Sequence, residues 1–445
     1  TILSESRDVA KRKKDSMTAI FPLYWDKSAH HEIEAFYVRH AEAHGKTRRT
    51  EIKERDKKMN IAEAARKYAD YTIEMRRYFH KYPELSLQEE NTAKKIREEL
   101  TKMGIPFVTM ANYGTVATIG GKKPGKCVLL RADMDALAVQ EENDFDYAST
   151  KPGVMHACGH DSHSAMLLGC AKILKDMEDE INGTVRLCFQ LSEENGQGAK
   201  LMIKEGLLDG VDACFAAHVW ANVDSGYVAV APGPVMAGAS LFEIEIKGKG
   251  SHGSAPHQGI DALTTGCAVV EELQKIISRE IDPQDAAVIS VGSFQSGTGW
   301  NIIADSAKLV GTTRCFSREV NAMLPEAMER VVKNVCEAHR CEGKLIYTPI
   351  VDPTINDEKM AKIAQGSVAK IFGENRIQYM KPTTGGEDFS EMMREIPGAI
   401  CMIGVRNPEI DGVYANHHGK FKVDEEQMVK GAGLYAQMAV DYLNQ

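Results

Sequence analysis

Short apolar runs that alternate with helical patterns constrain the fold of this 445-residue chain more than any other feature. The runs have the length of strands and are bounded by turn-forming or polar residues; they are Cys127–Leu130, Val185–Leu191, Ala213–Val219 and Ala399–Val405. Such nearly continuous apolar segments are typical of central strands covered on both faces. Helical patterns lie between them, at Ser164–Met177 and Ala199–Glu205. The alternation predicts an α/β fold with a mainly parallel sheet sandwiched by helices.

A different pattern begins near Gly238. Leu241–Lys247 alternates apolar and charged side chains, which is typical of a strand with one exposed face. The elements that follow are a helix at Ala262–Ile277, strands at Ala286–Phe294 and Ala307–Phe316, a helix at Pro325–His339 and a strand at Gly343–Ile350. This order predicts a ferredoxin-like α+β domain at 238–351. It interrupts the α/β domain, which comprises 59–237 and 352–445 and whose sheet we expect to resume near residue 359.

Residues 1–58 differ from the rest of the chain in charge. They carry 14 basic and 10 acidic side chains, a balance of +4, whereas the remaining 387 residues carry 40 and 53, a balance of −13. A helical pattern begins just after Met59. We therefore expect 1–58 to be a mostly helical, solvated extension of unknown role.

Whole-chain composition excludes several classes of protein. The net charge of −9 disfavours general nucleic-acid binding. The ten cysteines are scattered and form no CxxC pair, which is typical of reduced thiols in a cytoplasmic protein. No stretch approaches the roughly 18 apolar residues of a membrane span, so we expect no membrane partner.

The run from His156 to Asp161, HACGHD, is the strongest local chemical signal. In an extended segment, side chains two residues apart point the same way, so Cys158 and His160 can face one centre. A thiolate and an imidazole are good ligands for zinc or a similar divalent ion. The pair alone is weak evidence, because a CxH sequence also occurs by coincidence.

Polar groups at the predicted strand ends strengthen the metal hypothesis. Glu193 and Glu194 follow one strand, His218 lies near the end of another, and Asn416-His417-His418-Gly419 supplies two loop histidines. The carboxyl ends of strands are where open α/β sheets bind ligands. One glutamate of the adjacent pair can ligate a metal while the other remains a free base. Asp135 comes just after a strand, and we predict that it hydrogen-bonds a ligating histidine or the base glutamate and so orients that side chain. A helix cap or a salt bridge to Arg131 is the alternative role.

Gly248 to Gly253 matches the GxGxxG pattern of dinucleotide-binding loops directly after a strand. Such a site would need a helix to open there and an acidic residue at the end of the next strand. Pro256 and His257 intervene instead. A glycine-rich turn that presents His252 is the better interpretation.

Together these motifs resemble the aminoacylase and glutamate-carboxypeptidase family of dinuclear metallohydrolases, in particular its amidohydrolase branch of hippurate hydrolase, indole-acetyl-amino-acid hydrolase and aminobenzoyl-glutamate hydrolase. The residues that carry the resemblance are Leu130–Leu137, the HACGHD run, Glu193-Glu194, Gly250-Ser251-His252 with Pro256-His257, and Glu387-Asp388-Phe389. The similarity runs from about Met59 to the C-terminus. It leaves out 1–58.

The resemblance implies a role for each matching residue. The α/β domain would be the metal-binding catalytic domain, and the inserted domain a lid that also dimerises. Two divalent ions would be held by five ligands, with Cys158 bridging: Cys158, His160, Glu194, His218 and His417. His417 is preferred to His418 because it lies four residues before Phe421. The catalytic residues would be Glu193 as general base, Asp135 as its support and His252; the substrate contacts would be Asn301, Arg314 and Gly386.

The implied reaction is hydrolysis of an amide between an acyl or aroyl group and an amino acid, by water activated with metal and Glu193. The partner molecules would be this small substrate and a second copy of the chain. Zinc or manganese is expected, with cobalt or nickel as alternatives. A dipeptidase or carboxypeptidase with the same site, and a non-catalytic binding protein, are the competing functions. The family usually has proline where this chain has Ala138, and Pro-Ala where it has Leu191-Ser192.

Overall fold

The computed structural model describes residues 60–121 and 123–445. Asn60–Gln445 forms one compact unit. The predicted helical extension at 1–58 lies outside the described residues.

Ten α-helices lie within the described ranges. They are α1 Ile61–Lys67, α2 Ala69–Lys81, α3 Glu90–Lys102, α4 His160–Asp176, α5 Gly198–Lys204, α6 Ala262–Arg279, α7 Arg318–Ala338, α8 Glu358–Ile371, α9 Phe389–Glu395 and α10 Glu425–Leu443. Short 3₁₀ turns occur at Glu178–Glu180, Pro256–Gln258 and Pro408–Ile410. None of these described helices is both long enough and apolar enough to cross a membrane.

The described part of the chain has fifteen strands. They are β1 Phe107–Met110, β2 Gly114–Gly120, β3 Lys123–Asp133, β4 Asn182–Gln190, β5 Ala213–Asp224, β6 Val228–Ala229, β7 Gly233–Met236, β8 Gly238–Lys247, β9 Ser251–His252, β10 Ala287–Ser296, β11 Ile302–Ile303, β12 Ser306–Cys315, β13 Glu342–Val351, β14 Thr354–Asn356 and β15 Gly398–Arg406.

The central sheet has seven strands in the order β1-β2-β4-β3-β5-β15-β6. Its four middle strands are parallel, with Leu130 of β3 in register with Leu187 of β4 and Phe215 of β5. The pairs β1–β2, β2–β4 and β6–β15 are antiparallel. The predicted apolar runs form these middle strands because buried parallel strands need side chains that pack on both faces. The expected mainly parallel α/β core is confirmed.

Helices cover this sheet along its length. Helices α4 and α10 pack together and lie against β3 and β5, while α5 contacts β4 and α9 contacts β5. Val128, Leu129 and Leu130 are therefore fully buried in succession. The parallel strands end together at one edge, where the loops that follow them meet.

Residues 238–351 contain a second sheet, with the order β10-β12-β8-β13 and all pairs antiparallel. Helices α6 and α7 pack against it over a separate apolar core that includes Phe242, Leu273 and Met328. On the strands, every second residue is exposed to a greater extent, as the alternation of Leu241–Lys247 predicts. The predicted ferredoxin-like arrangement is confirmed, whereas the exact domain boundaries remain a prediction.

Two local predictions were wrong. Helix α7 begins at Arg318 rather than Pro325, because Ser317 caps its first turn by accepting from the Val320 N–H at 3.3 Å and Pro325 is accommodated inside the helix. The central sheet does not resume near residue 359, where α8 lies, but at β15. The predicted helical pattern after Met59 is confirmed and forms two helices, α1 and α2, which are separated at Tyr68.

Candidate metal centre and active site

The site lies where the middle strands of the central sheet end. Strand β3 ends at Asp133 and β4 at Gln190, and β5 runs through His218. The chain segments that follow β3 and β4 carry Asp135 and the pair Glu193-Glu194. Because the strands are parallel, side chains far apart in sequence meet at this edge.

The five predicted metal ligands form two groups that share Cys158. One group is Cys158, His160 and His218, and the other is Cys158, Glu194 and His417; within each, the ligand atoms lie within 4.8 Å of one another. Cys158 Sγ is 3.5 Å from His218 Nε2 and 3.3 Å from His417 Nε2. His418 instead stacks on Tyr414, with ring centroids 4.7 Å apart. The shared thiol lies where one ligand can contact two ions.

Left-handed backbone conformations at Gly159 and His417 help to set the directions of the predicted ligands. Gly159, between Cys158 and His160, has φ +99° and a Cβ there would lie 2.3 Å from Val219 Cγ2. His417 has φ +71°, and its N–H donates to Ala157 O at 2.8 Å. Only glycine fits the first of these turns, since it combines a left-handed backbone with a close contact.

Asp135 makes hydrogen bonds with several of the predicted site residues. Its carboxylate accepts from the backbone N–H groups of Glu193 and Glu194 at 3.1 Å each and from Ser86 Oγ at 2.6 Å. It also lies 3.3 Å from His160 Nδ1. An Nδ1–H held in this way leaves His160 Nε2 directed at the ligand cluster. One carboxylate therefore connects three of the functional residues.

The donor set fits divalent cations. His160 Nε2 and Glu194 Oε1 are buried, 3.8 Å apart, and have no hydrogen-bond partner among the described residues. Burial lowers the pKa of His160, but Asp133, Asp135 and Glu194 outweigh it and raise that pKa to about 10. Burial and the nearby glutamates likewise raise the pKa of the Cys158 thiol. A cation at this position would satisfy the unpaired atoms and stabilise both unprotonated ligands.

His218 is prepared as a neutral ligand. Its Nδ1–H donates to Val219 O at 2.7 Å, so Nε2 presents its lone pair to Cys158. Burial and the neighbouring His163 hold the pKa of His218 well below its usual range. Neutral imidazole is the form that binds metals.

Glu193 lies beside this cluster in an acidic pocket. Its side chain is 10% exposed, and its Oε1 accepts from the Asp388 N–H at 3.3 Å. Burial, then the carboxylates of Glu387, Glu194 and Asp388, raise the pKa of Glu193 well above its usual range. A raised pKa suits a group that must hold a proton during a reaction.

A buried arginine that sequence reasoning treated only as a possible salt-bridge partner supports this pocket. Arg131 Nη1 is 2.7 Å from Asp133 Oδ2, and Arg131 Nη2 is 3.0 Å from Glu387 Oε1 and 2.8 Å from Asp388 Oδ1. One cation thereby bridges three carboxylates that otherwise repel one another. It explains how Glu387 and Asp388, part of the family resemblance, lie close to Glu193.

His163 is a second residue that sequence reasoning missed. Its Nε2 accepts from the Val219 N–H at 2.8 Å, so the ring proton is on Nδ1, which donates to Asp133. The ring lies 4.4 Å from that of His218. Its position three residues after His160, on the same face of α4, was the available signal.

The predicted substrate residues lie in or next to the second sheet. His252 and Asn301 are neighbours on the small β9–β11 ladder, where the Gly253 N–H donates to Asn301 O at 2.7 Å. Among the described residues, neither side chain makes a hydrogen bond or ion pair with the metal ligands. Arg314 Nε donates to Thr384 O at 3.2 Å, next to the loop of Gly386. Gly386 is packed closely, since a Cβ would lie 2.8 Å from Val351 Cγ2.

Comparison with known proteins identifies the family to which this chain is similar. Residues 129–441 match Peptidase family M20/M25/M40. Thermostable carboxypeptidase 1 of Saccharolobus solfataricus is 40% identical over 389 residues, which cover 85% of this chain and 97% of that protein. IAA-amino acid hydrolase ILR1-like 4 of Arabidopsis thaliana is 38% identical over 382 residues, which cover 84% of this chain and 86% of that protein.

A solved structure agrees with these relatives. The YXEP protein of Bacillus subtilis, described as a dinuclear metal binding peptidase, has a TM-score of 0.75 and 33% identity, and covers 85% of this chain and 99% of that chain. The chain is therefore a hydrolase that belongs to peptidase family M20/M25/M40.

Proposed function

We propose that this hydrolase cleaves the amide bond of N-acyl or N-aroyl amino acids, including hippurate-like conjugates, with two divalent metal ions. The observation that carries the proposal is the pair of ligand groups sharing Cys158. Cys158, His160 and His218 would hold one ion, and Cys158, Glu194 and His417 the other. When bound, the ions would lower the pKa of a water molecule and polarise the amide carbonyl.

The ligand types limit which metal ions are expected at the site. Thiolate and imidazole favour zinc, whereas a site with a carboxylate also accepts manganese, cobalt or nickel. We propose zinc or manganese.

In this proposal Glu193 is the general base. It takes a proton from the attacking water and then delivers that proton to the leaving amine. Its place beside the ligands, with the Asp388 N–H on one oxygen, leaves the other oxygen available for the water. Asp135 keeps Glu193 and Glu194 in place through their backbone amides.

The second sheet would supply the substrate contacts. His252 and Asn301 would stabilise negative charge on the amide oxygen, and Arg314 would bind the substrate carboxylate through its guanidinium fork. Gly386, in the loop that Arg314 contacts, would also bind the substrate. We further propose a homodimer or higher homo-oligomer, in which His252 and Asn301 act on the site of the partner subunit.

Relatives support the amide class of substrate. One is named an IAA-amino acid hydrolase and another a carboxypeptidase. The second name keeps peptide hydrolysis as an alternative with the same site. A non-catalytic binding protein is disfavoured, because the base and the ligand set occur together. All ten cysteines are free thiols, which supports our proposal of a cytoplasmic location.

A substrate panel tests the proposal. Zinc- or manganese-loaded protein is assayed with hippurate, N-acetyl amino acids and dipeptides. We expect the highest kcat/KM for acyl-amino acids, whereas preference for dipeptides would favour the peptidase alternative. Glu193→Gln should lose most turnover, by a factor of about 10² to 10⁴, and retain its metal. Glu98→Gln, an exposed change on α3, is the control. Near-normal activity of Glu193→Gln would refute the base.

A further inference from the structure

Glu89 makes an interaction that the reaction scheme above does not use. Its side chain is fully buried at the start of α3, where it makes no capping hydrogen bond. Its Oε1 instead accepts from the backbone N–H of Ser192 at 2.8 Å. This bond joins the N-terminal part of the described chain to the residue that precedes Glu193 and Glu194.

Ser192 has an uncommon backbone conformation. Its φ is +56°, in the left-handed region that non-glycine residues rarely adopt. Three hydrogen bonds hold this conformation. The Ser192 Oγ donates to Asn195 Oδ1 at 2.7 Å, the Ser192 carbonyl accepts from the Gly198 N–H at 3.0 Å, and the Ser192 N–H donates to Glu89. A turn of this kind persists only where surrounding contacts impose it.

The turn at Ser192 determines where the next two carboxylates point. The amides of Glu193 and Glu194 both reach Asp135 at 3.1 Å immediately after it. If Ser192 relaxed to an extended conformation, both amides would leave Asp135 and both side chains would move.

We infer that Glu89 is a positioning residue for the metal centre: by holding the Ser192 amide it fixes the left-handed turn that aims Glu193 at the water and Glu194 at a metal ion. The inference rests on the proposed function for Glu193 and Glu194. Among the described residues, Glu89 makes no hydrogen bond or ion pair with a predicted metal ligand, so it acts through the backbone of Ser192 and not on the reacting atoms.

To hold the Ser192 amide, residue 89 must provide an acceptor oxygen but does not have to be charged. Glutamine keeps that oxygen, and burial followed by the Asp135 carboxylate raises the pKa of Glu89 to about 7, so a neutral side chain is tolerated. Glycine at position 192 adopts a positive φ without steric cost. It should therefore hold the turn even where Glu89 is truncated.

The experiment measures Zn²⁺ affinity by competition with a chelator, together with kcat and KM on the best substrate of the panel. We expect Glu89→Ala to weaken Zn²⁺ binding and lower kcat by about 10- to 100-fold with KM little changed. Glu89→Gln and Ser192→Gly should remain close to the parent protein. The double variant Glu89→Ala with Ser192→Gly should recover most of both losses. Glu90→Ala, an exposed neighbour on α3, is the control.

Two results would overturn the inference. If Glu89→Gln loses as much Zn²⁺ affinity and kcat as Glu89→Ala, the negative charge of Glu89 is required. If the double variant recovers neither, Glu89 does not act through the turn at Ser192. If Glu89→Ala does not fold, Glu89→Met, which has a side chain of similar length without an acceptor oxygen for the Ser192 amide, carries the same test, with the same expected loss and recovery by Ser192→Gly. Absence of hydrolysis by the parent protein would refute the proposed function, while the Zn²⁺ affinities would still decide the role of Glu89.

Discussion

At the scale of single residues, the site depends on a few buried groups that each hold several others. Asp135 has two oxygens, and they serve two backbone amides, one hydroxyl and one imidazole. Arg131 similarly bridges three carboxylates. Replacing one such group leaves several buried partners unsatisfied at once, which is costly.

Replacing Asp135 with asparagine should weaken metal binding. An amide has one acceptor oxygen instead of two, so it cannot serve both glutamate N–H groups and the His160 Nδ1–H. We expect Zn²⁺ affinity to fall by about 10- to 100-fold, measured by chelator competition. Asp176→Asn, which breaks a partly exposed pair with Lys67 far along α4, should leave the affinity unchanged. Equal affinities for both variants would contradict the role of Asp135.

Residue types made the proposed metal ligands predictable from the sequence, but not the residues that hydrogen-bond to them. Cys158, His160, Glu194, His218 and His417 stand out because thiol, imidazole and carboxylate at strand ends are typical of metal sites. Their supporting contacts left no such signal. Ser86 reaches Asp135 and Glu89 reaches Ser192 across 49 and 103 positions, and the second contact is to a backbone amide that any residue would provide.

At the scale of elements, helix α2 is attached to helix α4 by buried ion pairs. Arg76 Nε lies 2.9 Å from Asp161 Oδ2, and both side chains are at most 2% exposed. His80 lies between two carboxylates, with Nδ1 2.8 Å from Asp161 Oδ2 and Nε2 2.9 Å from Glu141 Oε1. Because Asp161 follows His160, this network also fixes the first turn of α4.

His80 makes stability depend on pH. Burial and Arg76 lower its pKa, but the hydrogen bonds to Asp161 and Glu141 outweigh them, and the pKa lies above the usual 6.5. The folded state therefore binds this proton more tightly than the unfolded state. The stability it contributes is present below pH 6.5 and is lost as the pH rises through the raised folded-state pKa.

His80→Leu should accordingly destabilise the protein by about 3–5 kcal/mol near pH 6, since it removes the cation beside the buried Glu141 carboxylate and leaves Asp161 with Arg76 alone. The difference from the parent should shrink towards pH 9. Urea unfolding at both pH values measures this, with His339→Leu, an exposed change at the end of α7, as the control. A difference that grows with pH would contradict the assignment of a charged His80.

Gly159→Ala tests how the turn before α4 aims the ligands. A left-handed alanine costs about 1–2 kcal/mol, and here its Cβ would also clash with Val219, beside His218. We expect loss of stability and of Zn²⁺ affinity. Gly104→Ala is matched in backbone, with φ +66° and no atom within 4 Å of the new Cβ. Gly104→Ala should therefore lower the stability, measured by thermal unfolding, and leave the Zn²⁺ affinity, measured by chelator competition, unchanged.

Element types were easier to predict than element ends. The apolar run from Cys127 to Leu130 falls inside β3, and the run from Val185 to Leu191 extends one residue past the end of β4, because buried strands need continuous apolar residues. The start of α7 was missed because a serine cap eight residues before Pro325 determines where the helix begins. The return to the central sheet was missed because α8 and a long loop follow residue 357 before β15 begins.

At the scale of the whole molecule, two sheets with separate cores meet near the proposed substrate site. Arg314, on β12 of the second sheet, donates to Thr384 in the loop that leads to Glu387 and Asp388. The proposed carboxylate anchor is thus attached to the segment that shapes the pocket of Glu193. Substrate binding and catalysis would then be divided between the two parts of the chain.

Arg314→Met should separate these contributions. Loss of a charged hydrogen-bonding group should raise KM by about 10- to 100-fold and change kcat less, because the base and the metal ligands remain. Steady-state kinetics measure both constants. Arg279→Met, at the end of α6, is the control. A fall in kcat with unchanged KM would contradict an anchoring role.

The number of metal ions that hydrolysis requires tests the central claim most directly. Metal-free protein is titrated with Zn²⁺ or Mn²⁺ while acyl-amino-acid hydrolysis and bound metal are measured in the same samples. We expect activity to rise until two ions are bound per chain, and Cys158→Ala, which removes the shared ligand, to bind fewer and remain inactive. Full activity with no metal or with one ion, or two ions retained by Cys158→Ala, would contradict a site bridged by Cys158.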